Sequence, residues 1–320
     1  MPLPSQSSLK AFRAALLDFV DDPFHMPISE SVRYFPDGLL VIEDGKVKAL
    51  GDYDRIHAHY PNVPVTRYSD KLILPGFIDL HLHFPQTEII AAFGEQLLEW
   101  LNKYTFPAES KFKNREYAQT IAQFFIQELL RNGTTTAVVL ATVHPESVDA
   151  FFEESNRLNL RMIAGKVMMD RNAPDFLTDT AASSYQESKQ LIEKWHHHQR
   201  SLYAVTPRFA PTSTREQLQA AGELLREFPD IYLHTHLSEN VDEVAWVKDL
   251  FPECDGYVDV YDRAGLVGDR SIFAHGVQLT EAEFQRLSEA GSAIAYCPTS
   301  NLFLGSGLFN LERVKSPSSP

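Results

Sequence analysis

PGFIDLHLH, Pro75 to His83, is the stretch on which the reading of this chain turns. Pro-Gly ends one pattern, and a short apolar run begins that closes on two histidines two residues apart. Upstream, from Ala11 to about Leu74, ALLDFV, GLLVIEDGKVKALG and VTRYSDKLIL are short alternating runs split by turn residues. They predict a small N-terminal β domain over residues 1–74, with a hairpin turn at Glu43-Asp44-Gly45.

Downstream the rhythm becomes one apolar run followed by one amphipathic helix, repeated through residues 75–320. After FIDLHLH come a helix over Asn114–Asn132, capped by Gly133, and the strand TTAVVLA. The later strands are RMIAGKVMM, SLYAVTPRF, IYLHTHL, SIFAHG and SAIAYC, which makes seven in all. The helices between them are SVDAFFEESNRL, YQESKQLIEKW, TREQLQAAGELLREF, NVDEVAWVKDLF and TEAEFQRLSEAG. Such alternation implies an α/β fold with a parallel sheet covered by helices, either a (β/α)8 barrel or a doubly wound sheet. Neither G-x-G-x-x-G nor G-x-x-x-x-G-K-[ST] occurs, so the barrel is favoured. The closing NLERVKSPSSP reads as a loop, and no eighth strand follows it.

The 320 residues suffice for a barrel with a small companion, and 44% hydrophobic against 22% charged residues is ordinary globular composition. A net charge of −14 disfavours phosphate backbones and anionic lipid as partners and leaves a neutral small molecule as the better fit. Cys254 and Cys297 are too few for a disulfide framework. With no signal-peptide core and no apolar run of roughly 18 residues, the expected location is cytoplasmic.

His81 and His83 end the first barrel strand, where residues two apart share a face, so both imidazoles are able to meet one metal ion. Alone, such a pair is as readily two ordinary histidines. His236 ends the fifth strand, His275 the sixth and Arg208 the fourth, all at the barrel mouth where such enzymes keep their sites. Glu239, three residues past His236, stands where it would exchange a proton with a metal-held water, although SEN also suits a helix N-terminus. Plain roles remain open for an ion-paired Arg208 and a core-packed Phe209. His144 is a reserve candidate, with a loop role favoured by the following Pro145. His196, His197 and His198 read as a solvated helix end with diverging side chains. His234 is expected opposite the barrel-lining face and takes no role. The H-x-E…P-C-x-x-C and H-E-x-x-H zinc signatures are missing.

The H-x-H, H-x-x-E and lone histidine resemble the amidohydrolase superfamily in its single-metal deaminase branch. LLEWLNKYTFPAE, GTTTAV, GKVMMDRNAPD, TPRFAPTS, HTHLSENVDEVAWVK, FAHGV and AYCPTSNLFLGSGLFNL narrow the likeness to the guanine deaminase family, from Leu74 to Leu311. The resemblance implies an ellipsoidal (β/α)8 barrel with a small β-sandwich built from both chain ends. It also implies a homodimer, one zinc per subunit with iron as the alternative, and hydrolysis of guanine to xanthine and ammonia in purine catabolism. His81, His83 and His236 would bind the metal, Glu239 would shuttle the proton, and His275 would contact the attacked centre. His83, Phe84, Pro85 and Gln86, with Arg208, Phe209, His236 and Glu239, would hold the purine. The family's next segment carries G-x-G-T-D, whose aspartate is a further ligand, and this sequence reaches Pro320 before it. Two other readings therefore stand beside the first: another aminated heterocycle as substrate, or an inactive fragment serving as a binding module.

Overall fold

In a computed structural model that describes residues 9–92 and 96–315, the chain divides into two units, residues 1–76 and 77–320. The first is a four-stranded mixed sheet of β1 (Lys10–Phe19), β2 (Val32–Glu43), β3 (Lys46–Asp52) and β4 (Val65–Ile73), in the order β3-β2-β1-β4. β2 and β3 form the expected hairpin. Asp44 and Gly45 both take positive φ, 50° and 77°, which matches the right-handed strand twist and favours Gly at the second position. β4 pairs with β1 in parallel. Leu39, Val41 and Ala11 form the core of this unit. The described residues supply one sheet, not the two layers of a sandwich.

The second unit is a parallel barrel sheet. Its strands are β5 (Phe77–His83), β6 (Thr134–Leu140), β7 (Arg161–Gly165), β8 (Val167–Met168), β9 (Leu202–Pro207), β10 (Tyr232–Leu237), β11 (Ser271–His275) and β12 (Ala293–Ala295). The order β12-β11-β10-β9-β7-β6-β5 follows the chain, as right-handed crossovers require, and β8 pairs with β9 off that path. Seven strands thus form the nearly closed sheet, and every predicted barrel strand is present. The predicted run RMIAGKVMM is split at Lys166, whose backbone N–H turns to the Tyr203 hydroxyl at 3.1 Å. A Cβ at the neighbouring Gly165 would lie 1.8 Å from the Ala204 carbonyl oxygen, so that close strand approach requires glycine.

Strands β9, β10 and β11 are almost continuously buried, as expected of parallel strands covered on both faces. Helices Arg115–Arg131, Pro145–Arg157, Ala181–Trp195, Arg215–Glu227, Val241–Leu250 and Glu281–Glu289 pack outside them, close to their predicted places. One aromatic knot, Phe84, Phe112, Phe125 and Phe151, fills the space between β5 and the first of these helices. No helix among the described residues is long and apolar enough to cross a membrane.

Candidate active site

The C-terminal ends of β5, β9, β10 and β11 surround a cavity of about 700 Å³. His81, His83, Gln86, Arg208, Phe209, His236, Glu239 and His275 all contribute to its wall. Four strands far apart in sequence deliver these groups to one mouth, the placement expected from the parallel barrel.

His81, His83 and His236 converge through Nε2. The His83–His236 distance is 3.0 Å and the His83–His81 distance 3.2 Å. The Arg208 carbonyl, 2.8 Å from His236 Nδ1, can only accept, so Nδ1 carries the hydrogen and Nε2 presents a lone pair. Burial drives all three imidazoles well below their ordinary pKa, so they are neutral. Neutral rings aiming nitrogens at one point are poor hydrogen-bond partners for one another and good ligands for a cation. Two imidazole nitrogens on one tetrahedral zinc stand about 3.3 Å apart, given zinc–nitrogen distances of roughly 2.0–2.1 Å. The set fits a divalent metal of the zinc type.

His234 corrects the sequence expectation. Residues two apart on a strand share a face, and His234 lies fully buried with Nε2 2.9 Å from His81 Nδ1. With His81 Nε2 turned to the metal position, Nδ1–H donates to His234 and fixes the ring, a partner of the kind that orients metal ligands.

Glu239 lies beyond β10, its backbone turned by Ser238 at a positive φ of 48°. The carboxyl is buried, accepts from Ser306 Oγ at 3.3 Å and stands 3.4 Å from His275 Nε2. Burial pushes its pKa up to about 7, a value suited to taking and returning a proton near neutrality. Glu243 holds this turn in place: its Oε2 accepts from the backbone N–H of Glu239 at 2.8 Å and of Asn240 at 3.0 Å. His275 also has a positive φ, 78°, in a left-handed conformation costly for a residue with a Cβ and typical of functional positions. Its Nδ1 donates to Asn301 Oδ1 at 2.7 Å, so Nε2 faces Glu239.

Arg208 is buried and pairs with Glu109, Nη1 lying 2.9 and 2.8 Å from the two carboxylate oxygens. The ion-pair alternative for this arginine is therefore realised, although the residue still lines the cavity. Glu109 was visible in LLEWLNKYTFPAE only as part of the likeness. Its signal, an acid three residues after Phe106 on one helical face, is too common to single out. Phe209 is buried with its ring at the cavity wall and edge-on to Trp246, which combines packing and lining.

Phe84 and Pro85 depart from the expected purine contacts. Phe84 turns its ring into the aromatic knot, and neither side chain joins the cavity wall; the segment contributes His83, Gln86 and Thr87 instead. His144 stands at the N-cap of Pro145–Arg157, away from the cavity. The triple histidine is not helical, because the helix stops at Trp195, and His196 and His197 converge on Asp230 rather than diverge. The Tyr203 N–H donates to His196 Nδ1 at 3.1 Å, while the hydrogen bond to the Asp230 carboxylate comes from His197 Nε2 at 2.7 Å. That cluster lies outside the cavity wall. Cys254 and Cys297 are free, and Cys297 lines the cavity.

The amidohydrolase family model matches residues 72–317. Guanine deaminase of Escherichia coli is 55% identical over 97% of this chain and 71% of its own length. The chain belongs to the guanine deaminase family of amidohydrolases. It is a hydrolase. The solved E. coli guanine deaminase superposes with a TM-score of 0.93 at 56% identity, over 96% of this chain and 71% of that one. The guanine deaminase of C. acetobutylicum, solved with guanine in its active site, superposes with a TM-score of 0.88 at 32% identity, over 95% and 71% of the two chains.

Proposed function

We propose that the chain hydrolyses guanine to xanthine and ammonia at a zinc ion held by His81, His83 and His236. The observation that carries this reading is the convergence of three neutral Nε2 atoms beside the buried carboxyl of Glu239, in a cavity also walled by Arg208 and Gln86. Family members named for guanine support the substrate, and three imidazoles suit zinc more than a hard, oxygen-preferring ion.

When bound, the ion supplies the Lewis acidity that makes water a nucleophile near neutral pH. Glu239 takes one proton from the attacking water as its oxygen bonds to the purine carbon bearing the exocyclic amine and the ring C=N electron pair moves onto the ring nitrogen. The carboxyl then returns that proton to the amine nitrogen, the exocyclic carbon–nitrogen bond breaks as the ring C=N pair returns, ammonia leaves, and the hydrogen still on the new oxygen passes to the ring nitrogen to give xanthine. His275, held by Asn301, presents Nε2 beside Glu239 and the attacked centre. Arg208 and Gln86 offer hydrogen-bond donors to purine oxygen or nitrogen, and Phe209 covers a ring face.

A neutral purine suits a chain of this acidity, and the reading extends to a cytoplasmic homodimer in purine catabolism. Ammonia release measured over guanine, adenine, cytosine and an aminotriazine tests the substrate. Guanine is expected to give the highest kcat/KM, and a preference for a triazine or pyrimidine would replace it.

A further inference from the structure

A fully buried acid behind the cavity wall, paired with the wall residue Arg208, has no part in the chemistry above. Glu109 is fully buried, on the short helix Phe106–Glu109 that follows a π-helical turn over Leu101–Thr105. Burying an ion pair costs desolvation that a well-packed apolar pair would avoid, so stability alone is a weak reason for Glu109 and Arg208 to lie here. The contact is one-sided. Glu109 engages Nη1 with both oxygens, whereas Nε and Nη2 of Arg208 have no protein hydrogen-bond partner among the described residues. Phe106, three residues earlier on the same helical face, sets its ring 5.6 Å from the Arg208 guanidinium carbon. One end of the fork is thus clamped and its remaining donors are left for a ligand.

We propose that Glu109 is the positioning residue of the purine site, clamping Arg208 so that its remaining N–H groups meet the substrate in one fixed orientation. Gln86 lines the same cavity wall as Arg208, so the free end of the clamped fork and this amide face one ligand. Fixing such donors before the ligand arrives removes an ordering cost from binding, and the effect belongs in KM more than in kcat. This inference rests on the guanine reading.

The test is Glu109→Gln in the full chain with zinc, read by steady-state kinetics on guanine and by the ¹⁵N guanidinium resonances of Arg208. Loss of a charge-assisted contact is expected to raise KM on the order of 10- to 100-fold, with kcat much less changed. In an Arg208→Met background the same change is expected to add less than about 2-fold, because both act through one contact. The Arg208 resonances, slowed in rotation by the clamp, are expected to broaden in the variant. An unchanged KM, or an equal effect in the Arg208→Met background, overturns the proposal. If wild type leaves guanine untouched, the substrate reading falls, and the resonances alone decide: broadening in the variant keeps the clamp, and identical spectra remove it.

Discussion

Three histidines of the barrel mouth are oriented by what the second ring nitrogen touches, whereas His83 Nδ1 is buried without a hydrogen-bond partner among the described residues. His236 is fixed by the Arg208 carbonyl and His275 by Asn301, while His81 leans on His234. The weakest of these supports to sequence inspection is the most testable. Replacing His234 by Phe keeps ring volume and removes the acceptor, and zinc affinity measured by chelator competition is expected to fall roughly 10- to 100-fold. Unchanged affinity would leave His234 as packing only. The three converging histidines and Glu239 are readable from sequence because they stand at or just past the ends of strands that the alternating pattern places. His234 is not: the expectation puts it opposite His236, although residues two apart on a strand share a face. Glu109 and Asn301 were hidden for a different reason: they act from segments between strands, where no periodicity relates them to the site.

At the scale of the element, the turn from β10 into helix Val241–Leu250 joins fold and chemistry. Glu243 closes a capping box with Asn240, accepts from Tyr257 at 2.7 Å and carries the Glu239 backbone. Burial and the neighbouring Glu239 push its pKa from 4.5 up to about 7. A carboxyl whose pKa is higher in the folded than in the unfolded chain binds its proton more tightly when folded. Its contribution is therefore full below about pH 4.5 and lost as pH rises through about 7. Metal-free wild type is expected to lose stability relative to Glu243→Gln between pH 5 and 8, by on the order of 3 kcal/mol. Parallel denaturation curves across that range check it, and a constant difference would show that the three donors keep Glu243 ionised. Elements whose signal is local were readable here: apolar runs gave the strands, and Gly133 and the Asp44-Gly45 turn gave their boundaries. Helix Tyr257–Arg263 and the segment from Leu97 to Lys113 escaped, the latter because it changes helical form three times and carries Pro107 inside.

For the whole molecule, the seven-stranded barrel sheet gathers groups separated by almost two hundred residues of chain, and a bound ion would tie β5 to β10. Those strands are not neighbours in the sheet order, so the ion would cross-link the barrel rather than reinforce one ladder. Zinc at a thousandfold excess over its Kd is expected to stabilise the fold by about 4 kcal/mol, seen as a raised Tm that a chelator reverses. A Tm indifferent to zinc and chelator would deny the site. The barrel class followed from strand–helix alternation, whereas the close strand approach at Gly165 depends on three-dimensional packing that no local pattern encodes.

The most direct measurement is guanine-dependent formation of xanthine by this chain loaded with zinc, beside Glu239→Gln at equal zinc content. The structure predicts xanthine and ammonia in equal amounts from wild type, and kcat lower by roughly 10²- to 10⁴-fold in the variant. Equal rates in the two proteins, or no xanthine from zinc-loaded wild type, would contradict the assignment of Glu239 and the three histidines as a guanine-hydrolysing site.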